Sequence, residues 1–163
     1  MSPEVKYTLV AAAFLTTLLA GLLLAFAVLV MPGIRKLRDR EFLVAFREID
    51  GVIQRGNPIF GLIWVGSTLA LVVGTGLAAV QDAELNLALL VVIASIHVVV
   101  VQLPTARINI PLNNQVQALD LESLDEQACG LARDRFEDRW NRWNRVRTVA
   151  ATGTAALLWG LVL

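Results

Sequence analysis

Glu137-Asp138-Arg139-Trp140-Asn141-Arg142-Trp143-Asn144-Arg145-Val146-Arg147-Thr148 runs directly into an apolar segment, Val149 to Leu163. A basic, aromatic stretch feeding an apolar one marks a helix entering a membrane. Arginine snorkels to lipid phosphate, and tryptophan prefers the headgroup level. Asparagine gains nothing there, so the doubled Arg-Trp-Asn unit needs a second explanation. Drawn as a helix at about 100° per residue, the stretch has two faces. Phe136, Trp140, Trp143 and Arg147 form one stripe, flanked by Glu137, Asn141 and Asn144, while Arg135, Arg139 and Arg142 lie on another side. The second face suits water or lipid phosphate. The first is either a belt that closes a helix bundle or the wall of a ligand site.

Working outward, three further apolar segments precede this one, giving spans at about 7–30, 58–80, 85–107 and 146–163. Each is near the ~20 residues that cross ~30 Å of hydrocarbon as helix. The fourth is short and depends on its tryptophans to reach the interface. The first is too long in its apolar core, and too poor in positive charge before it, for a cleavable signal. A mean hydropathy of +0.65 and 56% hydrophobic residues agree with an integral membrane protein. The formal net charge is zero, so nothing points to nucleic acid. The single cysteine, Cys129, excludes an internal disulfide or thiolate cluster, and the single histidine, His97, excludes a multi-histidine metal site. No cofactor is expected.

The 14 Lys and Arg residues fix an orientation. All but Lys6 fall either between the first and second spans or between Thr105 and Thr148, whereas the tight connection after the second span carries Asp82 and Glu84 and no base. Segments 31–57 and 108–145 are therefore expected in the cytoplasm, with both termini outside a multi-pass cell-membrane protein. The expected fold is one domain, 1–163. It is an all-α four-helix transmembrane bundle with a cytoplasmic amphipathic helix and long cytoplasmic extensions of the third and fourth helices.

Local signals refine this. Met31-Pro32-Gly33 should end the first span, and Asp39 should cap a helix reaching about Gln54. Phe42, Ala45, Phe46, Ile49 and Ile53 line one face of that helix, as in a helix lying at an interface or against a bundle. Gly56 suits its C-terminal cap and Pro58 the first turn of the next helix. Gly61, Gly66, Gly74 and Gly76 suit close helix packing in the second span. In the third, Gln102, Thr105, Asn109 and Asn113 share a face, with His97 more than 90° away and a kink expected at Pro111. Ser123 and Glu126 read as a capping box that starts the long last helix, with Gly130 as its one weak point.

The polar stripe of the third span and the Trp/Asn wall before the fourth lie at the same end of the bundle. They either pair with one another or enclose a pocket for a lipidic or aromatic molecule with polar edges. The pocket residues are Asn109, Asn113, Asn144 and Arg147 as the chemical groups, with Trp140, Trp143, Arg107 and Phe136 against the ligand. His97 is a proton carrier, an axial ligand or a helix-bonding group, the last being favoured. Asp50 and Glu137 are the acids placed for general-base work, with ion pairing to Arg107 or Arg147 the commoner fate of such groups.

Asn57-Pro58-Ile59-Phe60, Asn109-Ile110-Pro111-Leu112-Asn113 and the Arg139-to-Thr148 stretch, together with Met31-Pro32-Gly33, resemble the anthrone oxygenase-like family of small four-helix membrane proteins. Most bacterial members carry only a domain-of-unknown-function label. The resemblance covers nearly the whole chain and departs from the family pattern at Gln54-Arg55-Gly56-Asn57, where one or two extra residues intervene. It implies oxidation of anthrones to anthraquinones without metal or flavin. Asn109, Asn113, Asn144 and Arg147 would supply oxyanion donors, Trp140 an aromatic wall, and Asp50, Glu137 or His97 the base. The reading of a different class is a non-enzymatic membrane protein that binds a lipid or a partner helix. A homo-oligomer fits either.

Overall fold

The computed structural model describes residues 1–81 and 86–163, and all regular structure among them is helical. The expected acidic connection, Asp82 and Glu84, and the expected start of the third span at Leu85 lie outside the described residues. We number the helices α1 (Pro3–Ile34), α2 (Asp39–Gln54), α3 (Pro58–Val80), α4 (Leu87–Gln117) and α5 (Glu126–Val162).

Helices α1, α3 and α4 are long and apolar enough to cross a membrane. Only 28%, 22% and 28% of their most apolar windows are buried inside the protein, so the rest needs an apolar solvent. Three such helices indicate a membrane protein. The second half of α5 is not among these candidates. Its 146–163 run carries Arg147, Thr148, Thr152 and Thr154, which dilute its hydropathy.

Close packing places the site. Helix α1 lies against both α3 and α5 along much of its length. A side chain at Gly74 would come within 2.8 Å of Leu9, and one at Gly66 within 3.2 Å of Leu15, so these glycines do let α3 approach α1. Gly61 and Gly76 meet nothing within 4 Å. Gly61 instead lines a central cavity.

Three apolar clusters stack along the bundle. Leu9, Leu71, Ile93 and Leu158 fill one end, Leu19, Leu23, Val101 and Ala151 the middle, and Phe42, Phe46, Leu112, Phe136 and Trp140 the other end. The last cluster is α2 laid across α4 and α5 by its apolar face. Phe46 and Phe136 meet edge-on with centroids 4.4 Å apart, a geometry worth about 0.5–1.5 kcal/mol beyond area burial.

Two arginines staple the connections. Arg133 donates to the carbonyls of Arg35 (2.9 Å) and Leu37 (3.0 Å), to Asp39 (3.0 Å) and to Glu137 (2.7 Å), and its guanidinium lies 4.3 Å over the Phe42 ring. Burial opposes its charge, but Glu137 and Asp39 outweigh burial and hold its pKa above the ordinary value. Arg40 likewise donates to the carbonyls of Leu121 and Leu124 and pairs with Glu126.

The helix ends differ from expectation in several places. Gly56 does sit at φ +83° beyond α2, and Asn57 caps α3 ahead of Pro58. Asp39 is the first helical residue rather than the cap, because its carboxylate is taken by Arg133, and Glu41 reaches back to the Arg38 amide instead. The Arg38 side chain holds the Glu41 carboxyl below its ordinary pKa. That contact is therefore complete at neutral pH and weakens as pH falls through the carboxylate range. Asp125, not Ser123, caps α5 by accepting from the Ala128 amide at 2.7 Å, while Ser123 turns back to the Asp120 carbonyl. Helix α5 runs unbroken through Gly130, where a side chain would crowd Asp39 at 3.1 Å.

Met31-Pro32-Gly33 does not end α1. A π-helical turn, Phe26–Val30, widens the helix and the chain stays helical through Ile34. The irregularity of α4 likewise starts at His97, well before Pro111. Two π-helical stretches, His97–Gln102 and Thr105–Asn109, flank Pro104.

Candidate functional site

A cavity of about 430 Å³ lies where all five helices come together, between the middle cluster and the α2 cluster. That is within the ~300–1,000 Å³ usual for small-molecule sites. Its body is apolar, with Leu19, Leu23 and Phe26 from α1, Phe46 and Ile53 from α2, Phe60 and Trp64 from α3, and Val101 from α4. Its rim includes the exposed residues Gln54, Gly56, Val65 and Asn114. Polar groups sit at two ends of this body.

At one end stands Asp50, only 3% exposed. Its Oδ1 accepts from Asn113 Nδ2 at 2.7 Å, and its Oδ2 accepts from Gln54 Nε2 at 2.7 Å and Gln117 Nε2 at 2.9 Å. Asn113 in turn accepts from Trp140 Nε1 at 2.7 Å. Among the described residues Asp50 pairs with no cation. The expected partner Arg107 is exposed and away from the cavity, and Arg147 binds elsewhere. Three neutral amides thus hold a carboxylate at the wall of an apolar cavity without neutralising it.

At the other end stand Asn144 and Arg147, 1% and 5% exposed. Asn144 Nδ2 donates to the Leu23 carbonyl at 3.0 Å, where the π turn ahead loosens the end of α1. Its Oδ1 accepts from Arg147 at 3.1 Å, and a second guanidinium nitrogen of Arg147 donates to Thr105 Oγ1 at 2.9 Å. Arg147 Nε and Asn109 Oδ1 are buried without a partner among the described residues. Buried polar atoms are seldom left so. A ligand in this cavity would meet one free donor and one free acceptor. Thr105 and Asn113, which touch the two polar ends, are eight residues, or about two helical turns, apart on α4.

The cavity brings together Asn109, Asn113, Trp140, Asn144 and Arg147. It does not include the other three residues expected against a ligand. Trp143 is half-buried outside it, Arg107 is exposed, and Phe136 is packed into the aromatic cluster against Phe42 and Phe46. On α5 the cavity wall follows Trp140, Asn144 and Arg147, at i, i+4 and i+7, and Trp143 falls beside that line. Glu137 is committed to Arg133 and Arg35 and lies off the cavity.

His97 also lies off the cavity, fully buried. Its Nε2 is 3.3 Å from Thr68 Oγ1 of the neighbouring α3 and 3.1 Å from Gln102 Nε2. An α-helical wheel separates His97 from Gln102, but the π stretch between them adds a residue to the turn and puts both on one side. Gln102 then accepts from Trp64 Nε1, so this chain of contacts holds the Trp64 ring at the cavity wall.

A family model described as anthrone oxygenase matches residues 50–157. The chain belongs to the anthrone oxygenase family. The family match begins at Asp50 and takes in every cavity residue of α3, α4 and α5, and only the α1 wall and Phe46 fall before it. No curated protein gives a significant match. No solved structure gives one either. Among the described residues no group of three or more His, Cys, Asp or Glu side chains is placed to hold a metal ion.

Proposed function

We propose that this protein is a membrane oxygenase that oxidises a hydrophobic anthrone-like or phenolic substrate in the central cavity. One observation carries the reading. An unneutralised carboxylate, Asp50, and a buried donor pair, Arg147 and Asn144, line the same apolar cavity from separated ends.

In an anthrone the carbonyl oxygen and the acidic methylene carbon lie across the central ring from each other. A base and an oxyanion donor must then occupy opposed walls. Asp50 takes the methylene proton, and Arg147 Nε, held in place by Asn144 and Thr105, stabilises charge moving onto the carbonyl oxygen. The carbanion passes one electron to dioxygen, and the two radicals join to form a carbon–oxygen bond. Proton return from Asp50 gives the hydroperoxide. Loss of the second hydrogen with O–O cleavage leaves the new carbonyl and releases water. One oxygen atom ends in product and the other in water with both substrate hydrogens.

Oxygen uptake by purified protein with a model anthrone tests this. Turnover should exceed the spontaneous rate, and Asn144→Ala, which releases one of the two side chains holding the Arg147 donor, should lower it by up to about 10²-fold, the usual cost of losing an oxyanion donor. Trp143→Phe should leave it within about twofold, since Trp143 lies outside the cavity. Wild-type turnover no faster than the spontaneous reaction would overturn the enzymatic reading. The apolar share of the cavity wall favours, as a second reading, a protein that only binds a lipid. A stoichiometric copurifying lipid in a protein inert toward anthrones would establish that reading instead.

The topology that goes with this is four spans with both termini outside the cell membrane and α2 in the cytoplasm. It is supported by the packing of α5 along α1 and by the basic connections. Cysteines placed at Asn86, Glu122 and Leu163 should label from outside, inside and outside respectively. The native Cys129 is fully buried and silent. Labelling of Leu163 from the same side as Glu122 would show that α5 does not cross.

A further inference from the structure

A second cleft, of about 380 Å³, lies on a different face of α5 and shares no residue with the central cavity. Ala27, Met31 and Pro32 of α1 form its apolar floor. Arg35 and Lys36, together with Arg145, Asn141 and Asp138 of α5, form its polar walls.

These residues are ordered by depth. On α1 the apolar run stops at Val30, and Arg35 and Lys36 come just beyond it. On α5 the uninterrupted apolar run starts at Val149, and Arg145 lies about one turn before it. Three cations therefore stand at the level where both apolar runs end, which is the level of lipid phosphate. Asn141 and Asp138 lie about one and two turns farther from the membrane along α5. In the other direction, Val28, Leu29 and Val149 of the same two helices are more than half exposed.

The charges in the cleft are not used on one another. Among the described residues, Asp138, Lys36 and Arg145 make no ion pair within 4 Å, and Arg35 reaches only Glu137, at 3.5 Å. An acid and two cations that share a cleft without closing on each other leave room for a group carrying the opposite pattern. That pattern is a negative charge at the depth of Lys36 and Arg145 and a hydrogen-donating positive charge farther out, with apolar chains directed inward.

We propose that this cleft binds a phospholipid of the ethanolamine type. Its phosphate lies against Lys36, Arg145 and Arg35, its ammonium group donates to Asp138, and its acyl chains run down past Ala27. Phosphatidylcholine carries the same net charge but has no N–H to donate, so the pair of lipids isolates the Asp138 contact from bulk electrostatics.

The test is thermal unfolding of the detergent-solubilised full chain, titrated with each lipid. Phosphatidylethanolamine should bind at least tenfold more tightly than phosphatidylcholine. The double variant Lys36→Gln, Arg145→Gln should weaken binding of both lipids by tenfold or more. Asp138→Asn should equalise them. Arg139→Gln with Arg142→Gln, which removes the same charge from exposed positions outside the cleft, should leave the preference intact. These side chains are all exposed, and lipid-free melting of each variant checks its fold. Equal affinity for the two lipids in the unaltered protein would overturn the proposal, as would equal weakening by the control pair. Free phosphoethanolamine binding as tightly as the lipid would show a soluble anion site and overturn the lipid assignment.

Discussion

Replacing Asp50 by Asn should lower anthrone-dependent oxygen uptake by about 10²–10⁴-fold, the range for loss of a positioned general base. The substitution keeps the size of the side chain, so the cavity keeps its shape. It removes the only carboxylate that the described residues place on the cavity wall and puts an amide N–H among three amide donors that all point at this position. The loss should fall on kcat more than on KM, because the carboxylate acts on the proton in flight while the apolar wall does the binding. Glu137→Gln is the informative comparison. Glu137 is also a buried acid, but it is held by Arg133 and lies off the cavity. That variant should lower the melting temperature and leave turnover per folded molecule within about threefold. Equal turnover in Asp50→Asn and the unaltered protein would remove Asp50 as the base.

The three strongest spans are legible because a run of ~20 apolar residues has few other uses. The turn from α2 into α3 is legible because Gly56, Asn57 and Pro58 each have one favoured position at a helix junction. Asp50 was ambiguous because a lone acid says nothing about its partners. Its cage had a signal, since Asn113 and Gln117 are one turn apart and so face the same way. His97 and Gln102 were separated on an α-helical wheel, and no composition reports a change to π-helical pitch. Phe60 and Trp64 carry no signal of a site, because the glycines of the second span account for that helix as packing alone. The α1 wall is built from leucines and a phenylalanine, which look the same in sequence whether they face lipid, core or ligand.

Arg133→Ala should cost about 2–3 kcal/mol, below the ~3–5 kcal/mol for one partner of a fully buried ion pair, because Arg133 is only partly buried and Asp39 is 42% exposed. Arg133 ties three segments together. It takes two carbonyls from the connection between α1 and α2, the Asp39 carboxylate at the start of α2, and Glu137 one turn along α5. Its removal leaves Glu137, 9% exposed, with only the longer contact to the largely exposed Arg35. It also strips the guanidinium from the face of Phe42, the residue that seats α2 in the aromatic cluster. Arg133→Lys should recover less than half of the loss. A lysine places one charge but cannot span two carbonyls and two carboxylates with a fixed fork of donors. The consequence reaches the cavity, because α2 carries Asp50 and Phe46 and is held to α5 by this residue at one end and by the aromatic cluster along its face. Arg133→Ala should therefore loosen α2 before the spans unfold. Hydrogen exchange should rise first in residues 39–54, while α1 and α3, closely packed near Gly74, stay protected. Uniform exchange across α1, α2 and α3 in that variant would show that Arg133 supports the bundle as a whole rather than the seating of α2.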